Sequence, residues 1–98
     1  MKIRDIIGQE KATLSFEVFP PKKDTDFASV EAAALGIAAL RPSYMSVTYG
    51  AGGSTKGHTI KLANEIQEKY GVPTIAHLTC VCANKDSIRT ALSEMKNA

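Results

Sequence analysis

The sequence predicts an α/β chain in which consecutive β-α units build a parallel sheet. Three observations lead there. Apolar extended segments occupy residues 14–19, 44–49 and 74–81, and each is followed by a segment whose apolar residues recur at spacings of three and four. Turn signals separate the segments: Pro20 and Pro21, Pro42, the glycines at 50, 52 and 53, then Gly71 and Pro73. No linker, repeat or low-complexity run breaks the alternation, and 98 residues hold one domain at most.

The elements follow in order. A short amphipathic start carries Ile3, Ile6 and Ile7. The first strand is stopped by Pro20 and Pro21. The first long helix is expected over about residues 26–40, capped by Asp24 or Thr25, with Phe27, Val30, Ala34, Ile37 and Ala38 facing inward and Pro42 ending it. The second strand leads through "GAGGST" into a helix over about residues 55–70. Ile60, Ala63 and Ile66 or Gln67 give that helix a narrow buried stripe, and Gly71 with Pro73 stops it. After the third strand, Asn84 caps a last helix with Ile88, Ala91, Leu92 and Met95 facing inward.

Composition excludes several classes of function. Twelve basic and ten acidic residues are scattered along the chain for a net charge of +2, which gives no electrostatic reason to expect nucleic acid or an anionic membrane as partner. The apolar run at residues 32–40 is far below the roughly 20 residues that span a bilayer. No signal peptide is visible, so a cytoplasmic location is expected. Cys80 and Cys82 are two apart, a poor geometry for a mutual disulfide, and C-x-C without a second cluster is no metal motif; they are expected to be reduced structural thiols. Three parallel strands leave two unpaired edges. The chain is therefore expected to be the first part of a larger barrel or doubly wound sheet, or to need partner copies.

The stretch "LSFEVFPPKK", residues 14–23, sets a carboxylate, Glu17, among Phe16, Val18 and Phe19. A charge in such company is costly unless it is paired, neutralised or facing a cavity. Alternation puts Leu14, Phe16 and Val18 on one face and Ser15, Glu17 and Phe19 on the other. In the second strand Met45 and Val47 oppose Tyr44, Ser46 and Thr48; in the third, Ala76 and Leu78 oppose Ile75, His77 and Thr79. With this phase Glu17, Thr48 and His77 share one face near the carboxyl ends of their strands, where parallel α/β folds place active sites. Taken singly, each has an ordinary structural explanation: a solvated or paired glutamate, a β-branched strand residue, a hydrogen-bonded core histidine. Their coincidence points to a site, and a carboxyl facing a mostly apolar cavity can keep its proton and act as a general acid. The loop "TYGAGGST", residues 48–55, lacks the Walker and dinucleotide spacings and reads as a tight strand-to-helix turn.

The three strands together carry a resemblance. "SFEVFPPK", "RPSYMSVTYGAGGST" followed by "HT", and "AHLTCV" resemble the first three strands of methylenetetrahydrofolate reductases, in that order and over nearly all of residues 13–98. The resemblance implies the first three β-α units of a (β/α)8 TIM barrel with parallel strands, so that residues 1–98 form a single partial domain. It implies FAD as cofactor and NADH or NADPH as reductant, with hydride passing to 5,10-methylenetetrahydrofolate to give 5-methyltetrahydrofolate for methionine synthesis. It assigns Glu17 as the general acid that opens the five-membered ring of the folate, and Thr48, Tyr49, Ala51 and His77 as positions that contact the flavin or the nicotinamide stacked on it. No metal is implied. The partners implied are a small folate substrate and, for the full-length parent, further copies of itself. A complete enzyme of this kind is much longer, so this stretch alone is not expected to hold FAD tightly or turn over. The alternative is a non-catalytic small α/β domain that associates through its open sheet edges.

Overall fold

The structure, a computed structural model, describes residues 2–9, 11–21, 24–49, 56–81 and 83–98. A short helix α1 (Ile3–Ile7) precedes strand β1 (Ser15–Val18), helix α2 (Phe27–Ala38), strand β2 (Tyr44–Val47), helix α3 (Lys56–Tyr70), strand β3 (Thr74–Ala76) and helix α4 (Lys85–Asn97). The strands are parallel in the order β1-β2-β3. This is the alternating architecture that opens a (β/α)8 barrel.

Register follows from which side chains are buried. Glu17 pairs with Ser46 and Val18 with Val47; Ser46 pairs with Ile75 and Val47 with Ala76. Val18, Met45 and Val47 are buried together with Ala34 and Ala38 of α2, Leu62, Ala63 and Ile66 of α3, and Val72. Ala34 and Ala38 of α2 pack in this cluster beside Leu62, Ala63 and Ile66 of α3, the helix that lies against β2 and β3. A one-residue slip of any strand would turn this apolar set to the opposite face.

The helix boundaries have local causes. Asn84 caps α4, its side chain accepting from the Ser87 N–H at 2.8 Å while the Ser87 hydroxyl accepts from the Asn84 N–H at 2.9 Å. Gly71 takes a left-handed φ of 64° after α3 and donates its N–H to Gln67 O at 2.9 Å. Arg41 also adopts a positive φ, 55°, after α2. Its guanidinium donates to Tyr70 O at 3.3 Å, tying the end of α2 to the end of α3.

Four expectations are corrected. Neither Asp24 nor Thr25 caps α2: residues 24–26 form a 3-10 turn, Asp26 stands at the N-cap without a side-chain bond, and the Ser29 hydroxyl donates back to Asp26 O at 3.0 Å. The third strand ends at Ala76 instead of residue 81, with one further ladder bond from His77 N–H to Val47 O at 3.0 Å. Beyond that point β2 has itself ended, so there is no ladder to extend. In α3, Thr59 and Leu62 are buried beside Ala63 and Ile66, while Gln67 is exposed and its side-chain oxygen accepts from the Thr74 hydroxyl. In α4 no residue is buried and Leu92 is 52% exposed. Of the expected stripe, Ile88, Ala91 and Met95 are half-buried, and only Leu92 is exposed.

Leu14, Phe19, Leu40, Val81 and Leu92 are each more than half exposed, and β1 and β3 are the sheet edges. Apolar surface beside unpaired strands favours association. The 98-residue chain is expected to sediment as concentration-dependent oligomers; a clean monomer with a sharp, cooperative unfolding transition would contradict this.

The α2–α3 contact contains a carboxyl pair. The Glu31 carboxyl of α2 acts on Glu65 of α3, whose Oε2 is buried with no hydrogen-bond donor among the described residues. The Glu31 hydrogen bond, burial and the Glu31 charge raise the Glu65 pKa above its ordinary 4.5, while Lys61 and Lys69 pull it down. A raised native value means that the fold binds this proton more tightly than the unfolded chain does. The pair therefore stabilises below the unfolded value and loses that contribution as pH rises through the native one. Glu65→Gln supplies a donor to Glu31 at every pH. It is expected to raise the denaturation midpoint at pH 7 and to flatten the midpoint's pH dependence from 4.5 upward; an unchanged profile would show that the carboxyls do not share a proton.

Candidate active site

The site forms on the face of the sheet opposite the α2–α3 core. Alternation in β1 sends Val18 inward and Glu17 outward, where its side chain is 47% exposed. Register sets Ser46 directly beside Glu17, and the Ser46 hydroxyl donates to Glu17 Oε1 at 3.1 Å. Continuing the register one residue places Phe19, Thr48 and His77 level with one another, one pleat further toward the carboxyl ends. Backbone bonds from Thr48 N–H to Val18 O and from His77 N–H to Val47 O, both 3.0 Å, hold that row. His77 leans back over β2 and brings Nε2 to 3.6 Å from Glu17 Oε1. That distance is too long for a hydrogen bond, and it becomes an ion pair only when the ring is protonated.

Two residues at the start of α3 fix the strand exits. The hydroxyl of Thr59, fully buried, donates to Thr48 O at 2.8 Å and so anchors the end of β2. His58 Nδ1 lies 3.1 Å from Pro21 O, and since a carbonyl only accepts, that nitrogen carries the proton. The His58 ring also packs on Phe27 at a centroid distance of 4.9 Å. The turn after β1 and the end of β2 are therefore held by adjacent residues of one helix.

Of the residues expected at the site, Glu17 and His77 meet directly, and Thr48 stands in the row with His77. Tyr49 follows the phase of Met45 and Val47, toward the helices. Burial and then the Glu94 carboxylate of α4 raise its pKa above the ordinary 10.0, which keeps the phenol neutral. Its side chain is not brought to Glu17. Ala51 and the glycines at 50, 52 and 53 lie outside the described residues, as does Cys82; Cys80 is an exposed free thiol. The carboxyl is half exposed, so the described residues do not enclose it in the apolar cavity expected around it.

The family model for methylenetetrahydrofolate reductase matches residues 2–98. The chain belongs to the methylenetetrahydrofolate reductase family. It is 35% identical over 96 residues to methylenetetrahydrofolate reductase (NADH) 1 of Zea mays, which covers 98% of this chain and 16% of that protein. It is 32% identical over 89 residues to the 5,10-methylenetetrahydrofolate reductase of Salmonella typhimurium, covering 91% of this chain and 30% of that one. With the 5,10-methylenetetrahydrofolate reductase of Buchnera aphidicola the identity is 40% over 91 residues, covering 89% and 27%. The chain thus spans from 16% to 30% of the length of these relatives.

The "HT" pair has a physical role in this chain, because His58 and Thr59 carry the two anchors just described. Sequence reasoning left Ser46 unselected. A serine in a strand is no signal by itself; its pairing with Glu17 is, and that appears only once register is known. Among the described residues no helix is long and apolar enough to cross a membrane, and no group of His, Cys, Asp and Glu could hold a metal ion.

Proposed function

We propose that this chain forms the acid-bearing part of a methylenetetrahydrofolate reductase site, in which Glu17 protonates the folate and the row Phe19, Thr48, His77 lies against the flavin. The observation that carries the reading is the placement of Glu17, with Ser46 and His77 both at Oε1, on the sheet face away from the helical core in a member of this family.

The residues of this face suit a flavin ring. Phe19, 67% exposed, offers a flat apolar surface, and the Thr48 hydroxyl and His77 ring offer hydrogen-bonding groups. Tyr49 and Ala51 are assigned to the same cofactor by the family resemblance alone. Bound flavin supplies the hydride relay from NADH or NADPH. Glu17, in its protonated form, gives its proton to one nitrogen of the folate's five-membered ring. That C–N bond breaks as the lone pair of the other ring nitrogen forms an iminium, the carbon that accepts hydride. Thr59 and His58 keep the strand exits in place while the proton moves. A cytoplasmic setting, a homo-oligomeric parent and a product destined for methionine synthesis complete the reading.

The test is the complete product of the gene, purified and examined anaerobically. It is expected to be yellow, to bleach with NADH or NADPH, and to regain colour when 5,10-methylenetetrahydrofolate is added. A colourless protein, or reduced flavin that the folate does not reoxidise, would overturn the reading. The open edges of β1 and β3 favour the second reading, a non-catalytic domain that associates through them.

A further inference from the structure

We propose that Ser46 is the positioning residue of the acid: its hydroxyl tethers Oε1 of Glu17, so that Oε2 carries the proton toward the substrate. The proposal rests on the reductase reading for its catalytic consequence, but the tether itself is a property of this chain.

The argument starts from register. Ser46 sits directly across the ladder from Glu17, so their side chains rise side by side from the same face. The Ser46 hydroxyl donates to Oε1 at 3.1 Å, and the His77 ring approaches the same oxygen at 3.6 Å. Among the described residues Oε2 accepts no hydrogen bond. The two oxygens are therefore inequivalent before any substrate arrives. A donor on Oε1 is compatible with both forms of the carboxyl: it meets a carboxylate oxygen when the proton has left and a carbonyl-type oxygen when the proton rests on Oε2. One contact thus keeps the group oriented through the whole transfer. Without it, a half-exposed glutamate has several rotamers available, and the proton would be offered in many directions.

Core packing does not need this hydroxyl. Ser46 faces away from the cluster of Met45, Val47, Leu62 and Ile66, and water could satisfy it if Glu17 were elsewhere. Replacement by alanine removes the donor without opening a cavity in that cluster, and replacement by threonine retains it in a strand-compatible side chain.

The experiment compares wild type, Ser46→Ala and Ser46→Thr in the complete gene product. Ser46→Ala is expected to lower kcat for folate reduction about tenfold, the worth of one oriented hydrogen bond, with KM for the folate moving less than twofold; Ser46→Thr is expected to recover most of the loss. Crystal structures of the two variants give a readout independent of turnover: the Glu17 carboxyl turned or split in Ser46→Ala, and tethered in Ser46→Thr. Equal kcat in wild type and Ser46→Ala, or a carboxyl that keeps its orientation in the alanine variant, would overturn the proposal. A wild-type product that binds no flavin would overturn the reductase reading instead, while the two crystal structures would still decide the tether.

Discussion

Glu17→Gln in the complete gene product is expected to slow reduction of the folate by roughly 10²–10⁴-fold, the range associated with loss of a positioned general acid. Glutamine keeps the length and shape of the side chain. Its carbonyl oxygen still accepts from the Ser46 hydroxyl, which now reaches Oε1 at 3.1 Å, so the strand pairing and the core behind it are undisturbed. What disappears is the transferable proton. The loss should therefore appear in the step that opens the five-membered ring, seen as slow reoxidation of reduced flavin by the folate in rapid-mixing experiments. It should not appear in the thermal midpoint. Folate turnover within threefold of wild type would remove Glu17 from the chemistry and leave the cluster with Ser46 and His77 as a surface polar network.

Much of this arrangement was legible in the residues, and the parts that were not share a cause. Alternation put Glu17 and Thr48 on one face, as the burial of Val18, Met45 and Val47 bears out; the third strand's residues did not fix a phase, and His77 joins that face through its ladder bond to Val47. Cap chemistry was readable at Asn84 and Gly71, which act as local sequence rules require, and not at the start of α2, where a 3-10 turn moves the N-cap to Asp26. Partners across elements were not. Ser46 became interesting only through its register with Glu17, and Thr59 only through the Thr48 carbonyl above it. The length of β3 depended on where β2 stopped, a property of the neighbouring strand. The stripe of α4 was visible as a pattern, but a pattern says which residues seek cover and not what supplies it. Leu92, 52% exposed, shows the difference.

That contrast yields the largest expected effect on stability. Leu62 and Leu92 are the same residue type on helices of the same sheet, yet Leu62 is 0% exposed within the cluster of Met45, Val47, Ile66 and Val72. Leu62→Ala removes buried methyl and methylene groups and leaves a void that the branched neighbours only partly fill. The cost is about 2–5 kcal/mol, measured in the complete gene product. In urea the midpoint is expected to fall by on the order of 1–2 M. Leu92→Ala, at a position already in contact with solvent, should change stability by about 0.5 kcal/mol or less. The core variant should also reach the site, because Leu62 lies one turn from Thr59 and His58, whose bonds hold the exits of β2 and β1. Loosening α3 would release the Thr48 carbonyl and the Pro21 turn together. Equal midpoints for the two leucine variants would mean that α3 does not organise this fold, and that the rim of the site is held by some other element.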